Sequence, residues 1–218
     1  MKKIYWTRIY ADPFFAYAFK HMRDSTNAYH NIDHIWFMYE YLHKTNEPYN
    51  YGLDVAVLFH DFIYDKHPHK EYRSALAMND YFAAMEDAYP TKNGFSNSER
   101  LMASKAFQMI KATESHLVLE NYASAIIRAD LAGLANRVTA FQNYYKVLEE
   151  SKNLYGVSEE SFAVANLNFM EGLRYRVKEN MKLDPDWKDF YTDVLSGIDT
   201  TWSLSNVILG KNVPVAVE

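Results

Sequence analysis

The most informative stretch of this sequence is an apolar run that ends in two side chains able to bind metal. It reads Val55-Ala56-Val57-Leu58-Phe59-His60-Asp61. The run is long enough for a buried helix, and ionisable side chains at its end are costly in a core unless they are paired or coordinated. They also lie at the negative end of the helix dipole, which favours a bound cation. A metal site explains both features, and the alternative is that the two residues only cap the helix and pair with neighbours.

The composition around this run favours one helical domain. Of the 218 residues, 49% are hydrophobic and 23% are charged, which is enough apolar surface for one large core. Only 7 Gly and 6 Pro are present, few for an all-β or Rossmann-type chain. We therefore predict an all-α fold in which residues 1–218 form a single domain.

Apolar residues recur with the helical period along most of the chain. The pattern predicts helices at about residues 12–24, 31–45, 51–63, 69–88, 97–111, 120–135, 137–152, 158–180 and 187–208. The Pro, Asn, Gly and Ser cluster in residues 89–97 predicts a loop, and another turn is expected at 46–51. Ser158, followed by two acidic residues, is a candidate N-cap.

Charge and composition argue against several classes of function. Cysteine is absent, so disulfides, thiolate zinc sites and a cysteine nucleophile are excluded, and any metal must have nitrogen and oxygen ligands. The net charge of -5 provides no general attraction to nucleic acid or to an anionic membrane. The sequence shows neither the apolar core of a signal peptide nor an uninterrupted apolar stretch of about 18 residues, so we expect a soluble, cytoplasmic protein.

The histidines are confined to the first part of the chain. All eight lie between His21 and His116, which points to a site built mainly from the first half. His30 and His34 are four residues apart and would share one face if both are helical. Such a pair can bind one metal. Alternatively, one histidine is the ligand and the other supports it, or both have ordinary core and surface roles.

Two later segments also place polar groups in apolar surroundings. Asp130 lies in an otherwise apolar helical stretch and needs a cation, which is either a metal or the nearby Arg128. Lys111, Thr113 and His116 follow an amphipathic helix and form a set suited to binding phosphate oxygens.

Taken together, these motifs resemble those of the HD-domain metal-dependent phosphohydrolases, and in particular one predicted bacterial and phage branch. They are Tyr-His-Asn-x-x-His-Ile at 29–35, Phe-His-Asp-x-x-Tyr-Asp at 59–65, Ser-Ala at 74–75 after an acidic residue, Ala-Thr-x-x-His at 112–116 and Ala-Asp-Leu at 129–131. The resemblance covers about residues 25–150. It implies an HD-type helical bundle, with additional helices at about 155–208 packed on this motif core.

The resemblance also implies a set of metal ligands. His34, His60, Asp61 and Asp130 would hold one divalent ion, with His30 in a supporting position. His34 is preferred over His30 because the family's first histidine is typically followed by an aliphatic residue. Two imidazoles and two carboxylates suit Mn, Fe, Co, Ni or Zn better than Mg or Ca.

The residue for proton transfer departs from the family pattern. Several HD nucleotidases carry a glutamate three residues after the His-Asp doublet, where this chain has Tyr64. Asp65, four residues and about one helical turn after Asp61, is the first candidate for orienting or deprotonating the water nucleophile. Glu71 is the second candidate.

The function implied by the resemblance is hydrolysis of a phosphate ester or phosphoanhydride by metal-activated water. His116 and Lys111 would bind the substrate phosphate, and the alternative is that His116 ligates a second metal, as in some HD proteins. A nucleotide is the expected substrate, because many HD enzymes act on nucleotides and the 18 Tyr and 13 Phe provide rings for stacking.

Other functions are compatible with the same residues. One is a metal- or nucleotide-binding sensor that has lost catalysis, in keeping with the missing glutamate. Others are a di-iron oxygenase and a purely structural helical protein. The C-terminal helices would cover the site or form the face of a homo-oligomer.

Overall fold

The computed structural model describes residues 13–88 and 97–211, which are mainly helical and contain no β-strand. The helices are α1 (Pro13–Asp24), α2 (Ile32–Lys44), α3 (Tyr51–Phe59), α4 (Lys70–Ala88), α5 (Asn97–Ser115), α6 (Ser124–Leu131), α7 (Arg137–Tyr155), α8 (Glu159–Leu183) and α9 (Lys188–Ile208). Short 3-10 helices occupy Asn121–Ala123, Ala132–Leu134 and Pro185–Trp187. The prediction of an all-α fold is therefore confirmed.

Three of the predicted helices are wrong in extent by four residues or more, and one of them, predicted at 97–111, continues to Ser115. The helix predicted at 51–63 ends at Phe59, and the one predicted at 120–135 is α6 flanked by two 3-10 helices. At the end of α3 the His60 N–H still bonds to the Ala56 carbonyl at 2.9 Å, but the Phe62 N–H bonds to Phe59 at 3.1 Å. This tighter bond starts the turn that replaces the last predicted helical turn. Most of the predicted loop, residues 89–96, lies outside the described residues.

The chain divides into two compact units, Met1–Asp130 and Leu131–Glu218. The first contains α1 to α5 and all but the last residue of α6, and the second contains α7 to α9. The prediction of one domain, with the C-terminal helices packed on the motif core, stays a prediction.

Helix α3 lies at the centre of the first unit. All nine of its residues are buried, as the apolar run predicts. The Asn50 side chain caps the helix by accepting the Leu53 N–H at 3.2 Å. Helix α5 packs closely on α3, since a Cβ on Gly52 would lie 2.6 Å from the Met102 carbonyl oxygen. The end of α3 is therefore held deep in the core.

Helix α2 presents a mixed face to the same core. The Asn31 side chain caps it by accepting the Asp33 N–H at 2.8 Å. Its buried residues follow the helical period and are His34, Ile35, Met38, Tyr39 and Leu42. His34 thus lies on the apolar face of an amphipathic helix, in its first turn.

The second unit is built on the packing of α8 against α9. Ser158 accepts the Ser161 N–H at 3.2 Å, which confirms the predicted N-cap of α8. On α9, Gly197 allows the backbone around Leu134 to approach so closely that an added Cβ would lie 1.8 Å from the Leu134 carbonyl oxygen. None of the described helices has both the length and the apolar composition needed to cross a bilayer.

Candidate metal centre

Two histidines from different helices meet inside the first unit. His34 comes from the buried face of α2, and His60 follows the last residue of α3. Their Nε2 atoms are 3.2 Å apart, and both side chains are almost completely buried. Because two neutral imidazole lone pairs repel each other, this approach requires a proton or a cation near the two nitrogens.

The backbone fixes the orientation of the His60 ring. Its Nδ1 lies 2.9 Å from the Val57 carbonyl oxygen, so Nδ1–H donates to that carbonyl. This hydrogen bond directs Nε2 towards His34. A backbone carbonyl on one ring nitrogen and a free lone pair on the other is the usual state of a metal-binding histidine.

Two carboxylates complete the cluster. Asp61 places Oδ2 at 2.8 Å from the His60 Nε2 and 3.7 Å from the His34 Nε2. Asp130, on α6, places Oδ1 at 3.2 Å from the His34 Nε2 and 3.7 Å from the His60 Nε2. The four side chains that the motif resemblance assigns to the metal therefore converge on one small region.

These spacings fit a shared divalent ion. With bonds of about 2.1 Å, neighbouring ligand atoms lie about 3.0 Å apart around an octahedral ion and about 3.4 Å apart around a tetrahedral one. The five distances above run from 2.8 to 3.7 Å. Independently of Asp130, ligand atoms of the buried residues His34, His60 and Asp61 all lie within 4.8 Å of one another. The group of His34, His60 and Asp61 can hold a metal, and its nitrogen and oxygen donors match transition ions better than Mg or Ca.

The local charges already favour a cation. Burial by itself lowers the pKa of His60, but the charge and hydrogen bond of Asp61, helped by Asp130 and Val57, outweigh burial and raise this pKa to about 9. Burial by itself raises the pKa of Asp61, but the surrounding histidines hold it well below its ordinary value. The pKa of Asp130 is lowered too, chiefly because hydrogen bonds from His116 and His34 outweigh its burial. Both carboxylates are thus ionised around the histidines.

His116 adjoins the cluster through Asp130. Its Nε2 lies 3.2 Å from the Asp130 Oδ2, so the two oxygens of this carboxylate face different histidines. His116 follows the end of α5 with φ of 52°, an uncommon conformation for a residue other than glycine. Lys111, its predicted partner in phosphate binding, lies over the rings of Tyr72 and Phe107, at 5.7 and 6.0 Å from their centroids.

The first candidate for proton transfer has a different environment from the one expected. Residues 60–69 form turns and bends, so Asp65 does not lie one helical turn from Asp61. Both oxygens of Asp65 accept hydrogen bonds from the Arg73 guanidinium at 2.8 Å. Together with the His67 N–H, this pairing holds the pKa of Asp65 well below its ordinary range. A carboxylate held in this way is a weak base.

The second candidate, Glu71, has the opposite environment. It is half-buried in the first turn of α4. Burial raises the pKa of Glu71 above its ordinary value, and the negative charges of Asp61 and Glu114 add to this rise. A raised pKa makes a carboxylate a better base near neutral pH.

His30 lies beside the cluster but not on the helix that carries His34. It belongs to the turn before α2, so the two histidines do not share a helical face. The ring of His30 stacks on Tyr64 with centroids 3.7 Å apart and meets His34 edge-on at 6.0 Å. Its charge also contributes to the lowered pKa of Asp61. These contacts agree with a supporting position.

No family model, no curated protein and no solved structure matches this chain. The HD resemblance therefore stays a prediction, and the candidate metal centre is supported by its own geometry.

The alternative partner of Asp130 is engaged elsewhere. Arg128 bonds to Glu47 at 3.0 Å and to the Ser124 hydroxyl. The described partners of Asp130 are His34, His60 and His116. The half-buried Asp130 carboxylate is thus neutralised from the side of the histidine cluster.

Sequence analysis assigned no role to α1, yet the structure brings it to this region. A cavity of about 400 Å³ is lined by Tyr17 and Lys20 of α1 together with Asp61. No local pattern in the sequence signals this proximity, because it arises from the packing of α1 against α3 and α4.

Proposed function

We propose that this chain is an HD-type metal-dependent phosphohydrolase that cleaves a phosphate ester or phosphoanhydride, with a nucleotide as the expected substrate. The single observation that carries the proposal is the convergence of His34, His60, Asp61 and Asp130, which come from three separate segments of the sequence. The motif resemblance supplies the reaction class. A helical protein without a site at this position has no need for two histidines and two carboxylates in one apolar region.

The four converging residues would hold the metal, which is Mn, Fe, Co, Ni or Zn by the chemistry of the donors. When bound, such an ion activates a water molecule and offsets charge on a phosphoryl oxygen. The Val57 carbonyl keeps the His60 ring turned towards the site. Burial keeps bulk water away from His34 and His60, which strengthens the local electrostatics.

We assign proton transfer to Glu71 rather than to Asp65. Glu71 lies near enough to Asp61 for their charges to interact, and its raised pKa suits acceptance of a proton from the attacking water. The Asp65 carboxylate is occupied by Arg73, so its role in this proposal is to hold residues 60–69 against α4.

We assign contact with the substrate phosphate to His116. The His116 Nε2 lies 3.2 Å from the Asp130 Oδ2, which holds the imidazole beside the candidate metal ligands, where a phosphate bound to the metal would lie. Lys111 stays a candidate for the same role. A second metal between His116 and Asp130 is the competing possibility, favoured by the way Asp130 turns one oxygen to each side.

Two matched substitutions test the proton-transfer assignment. Glu71→Gln and Asp65→Asn each remove one charge with little change in shape. We expect the purified Glu71→Gln protein to keep its metal and lose activity by about 10²- to 10⁴-fold on a panel of phosphate esters and nucleotides with Mn²⁺. Asp65→Asn should lose far less. If Glu71→Gln keeps full turnover, Glu71 has no part in the mechanism.

The same panel separates the other functions. Metal and nucleotide binding without turnover in the wild-type chain indicates a sensor. Two iron atoms per chain, with an iron-dependent visible spectrum, indicate a di-iron oxygenase. Metal analysis and ligand titration of one preparation provide both results.

A further inference from the structure

The cavity beside Asp61 is a candidate for the substrate's organic group. Its volume of about 400 Å³ is in the range of small-molecule sites. Asp61 forms part of one wall, so a molecule in the cavity lies directly against the candidate metal centre. Helix α1 and the segment after it form the opposite wall. The inference below rests on the proposed function, because it concerns the substrate of that same site.

The aromatic rings nearest Asp61 have no open face. Phe62 lies between His21, at 4.0 Å, and Phe59, at 4.8 Å, with both neighbours stacked on it. Two stacked rings at these distances must lie on opposite faces. A nucleobase needs an open ring face on which to stack, and Phe62 has none.

Tyr64 is enclosed in the same way. His30 stacks on its ring at 3.7 Å, and the Lys70 ammonium lies 3.6 Å from the ring centroid. A cation and a ring cannot share one face at these distances, so they cover both faces. Tyr17 stacks on Tyr81 with centroids 4.4 Å apart and meets Phe62 at a tilt, with centroids 5.7 Å apart. Phe62 and Tyr64, the rings nearest Asp61 in sequence, therefore present their edges to the cavity.

The opposite wall is polar and close to neutral. Lys20 is paired with Asp24 at 2.7 Å, which offsets its charge. Thr26 and Asn27 also line the cavity, and one N–H of the Asn27 amide donates to the His30 carbonyl at 3.3 Å. Thr26 is exposed, and no hydrogen bond of its hydroxyl is described within residues 13–88 and 97–211. Hydroxyl and amide groups of this kind exchange hydrogen bonds with hydroxyl groups of a ligand.

We propose that the cavity lined by Asp61, Thr26 and Asn27 binds a hydroxylated, non-aromatic group of the substrate, such as a phosphorylated sugar or polyol, and that it does not hold a nucleobase. A nucleotide meets this requirement with its sugar in the cavity and its base outside. The protein then recognises its substrate mainly through the substrate's hydroxyl groups.

A binding measurement tests this without depending on turnover. Ribose 5-phosphate and adenosine 5′-monophosphate are titrated into the Glu71→Gln chain saturated with Mn²⁺, using calorimetry. We expect their dissociation constants to agree within about threefold, because the base adds little. Binding of the nucleotide that is more than about tenfold tighter overturns the proposal, and so does a failure of both ligands to bind.

One substitution tests the cavity wall itself. Thr26→Val keeps the shape and removes the hydroxyl, so ribose 5-phosphate should bind about 2- to 13-fold more weakly, as for the loss of one hydrogen bond. The matched control is Thr192→Val, an exposed threonine on α9. Unchanged affinity in Thr26→Val contradicts the assignment of the wall. Absence of hydrolysis in the wild-type chain, with both binding results as expected, refutes the proposed function and leaves this inference standing.

Discussion

A divalent transition metal should stabilise the folded chain, and Asp61→Asn should abolish that stabilisation. A ligand that binds only the folded state at 100 times its dissociation constant adds about 2.7 kcal/mol to the free energy of unfolding. For a chain of this length, 1 kcal/mol shifts the melting temperature by about 2–4 °C, so we expect a rise of about 5–11 °C. Asp61→Asn replaces a charged oxygen ligand by a neutral amide in a buried group of donors.

The metal-induced stabilisation should depend on pH, and the pKa of His60 sets the direction of that dependence. In the metal-free chain the folded pKa of His60 is raised from 6.5 to about 9. The proton on His60 therefore stabilises the metal-free folded state fully below about pH 6.5, and this contribution is lost as the pH rises through 9. A metal needs the unprotonated Nε2, so binding must displace this proton. Metal affinity should rise about tenfold per pH unit towards pH 9 and then level off.

The assay is thermal unfolding at a series of Mn²⁺ and Zn²⁺ concentrations, with calorimetry in two buffers of different ionisation enthalpy. The buffer comparison should show about one proton released per metal bound at pH 7, if His60 is the only group that changes its protonation. Asp33→Asn is the control, because Asp33 is exposed and lies next to His34. The reasoning is refuted if Asp61→Asn retains the wild-type metal-induced shift, or if metal affinity falls as the pH rises from 7 to 9.

Two further predictions concern stability and are checked by urea denaturation followed by circular dichroism. Arg128→Met should lower the free energy of unfolding by about 3 kcal/mol. This is the lower end for breaking a buried ion pair, because Glu47 keeps 21% of its side-chain surface exposed. Adding Glu47→Gln should recover part of the loss, and additive losses from the two substitutions would show that the pair is uncoupled. Gly197→Ala should lower the free energy of unfolding by about 3 kcal/mol or more, since the new Cβ would overlap the Leu134 carbonyl. Gly172→Ala should be neutral or stabilising by up to about 1 kcal/mol, because only a flexible arginine side chain lies near Gly172. Equal effects of the two glycine substitutions would contradict the packing described for the second unit.

Much of the helical architecture could be predicted from sequence because helix formation depends on residues a few positions apart. The spacing of apolar residues located the helices, and Ser158 marked a helix start through a hydrogen bond within its own first turn. The prediction was wrong where non-local contacts decide the backbone. After Phe59 the chain leaves the helix, and the Ile63 N–H bonds to the Ser74 hydroxyl of α4 at 2.9 Å.

The candidate site also combines features that the sequence predicts with features that depend on non-local contacts. Its donor residues were predicted from short motifs, because the residue types that bind metal can be read directly from the sequence. The choice between Asp65 and Glu71 could not be read in this way. Asp65 loses basicity to Arg73, and Glu71 gains it by burial and from the charge of Asp61.

By itself, the sequence determined the helical class and the side chains available for metal chemistry, because both depend on residue type and local spacing. Only the tertiary structure decided which of those side chains meet, which carboxylate is neutralised by a guanidinium and which ring faces are covered beside Asp61. Distances between remote residues set these properties, and packing of the helices sets those distances.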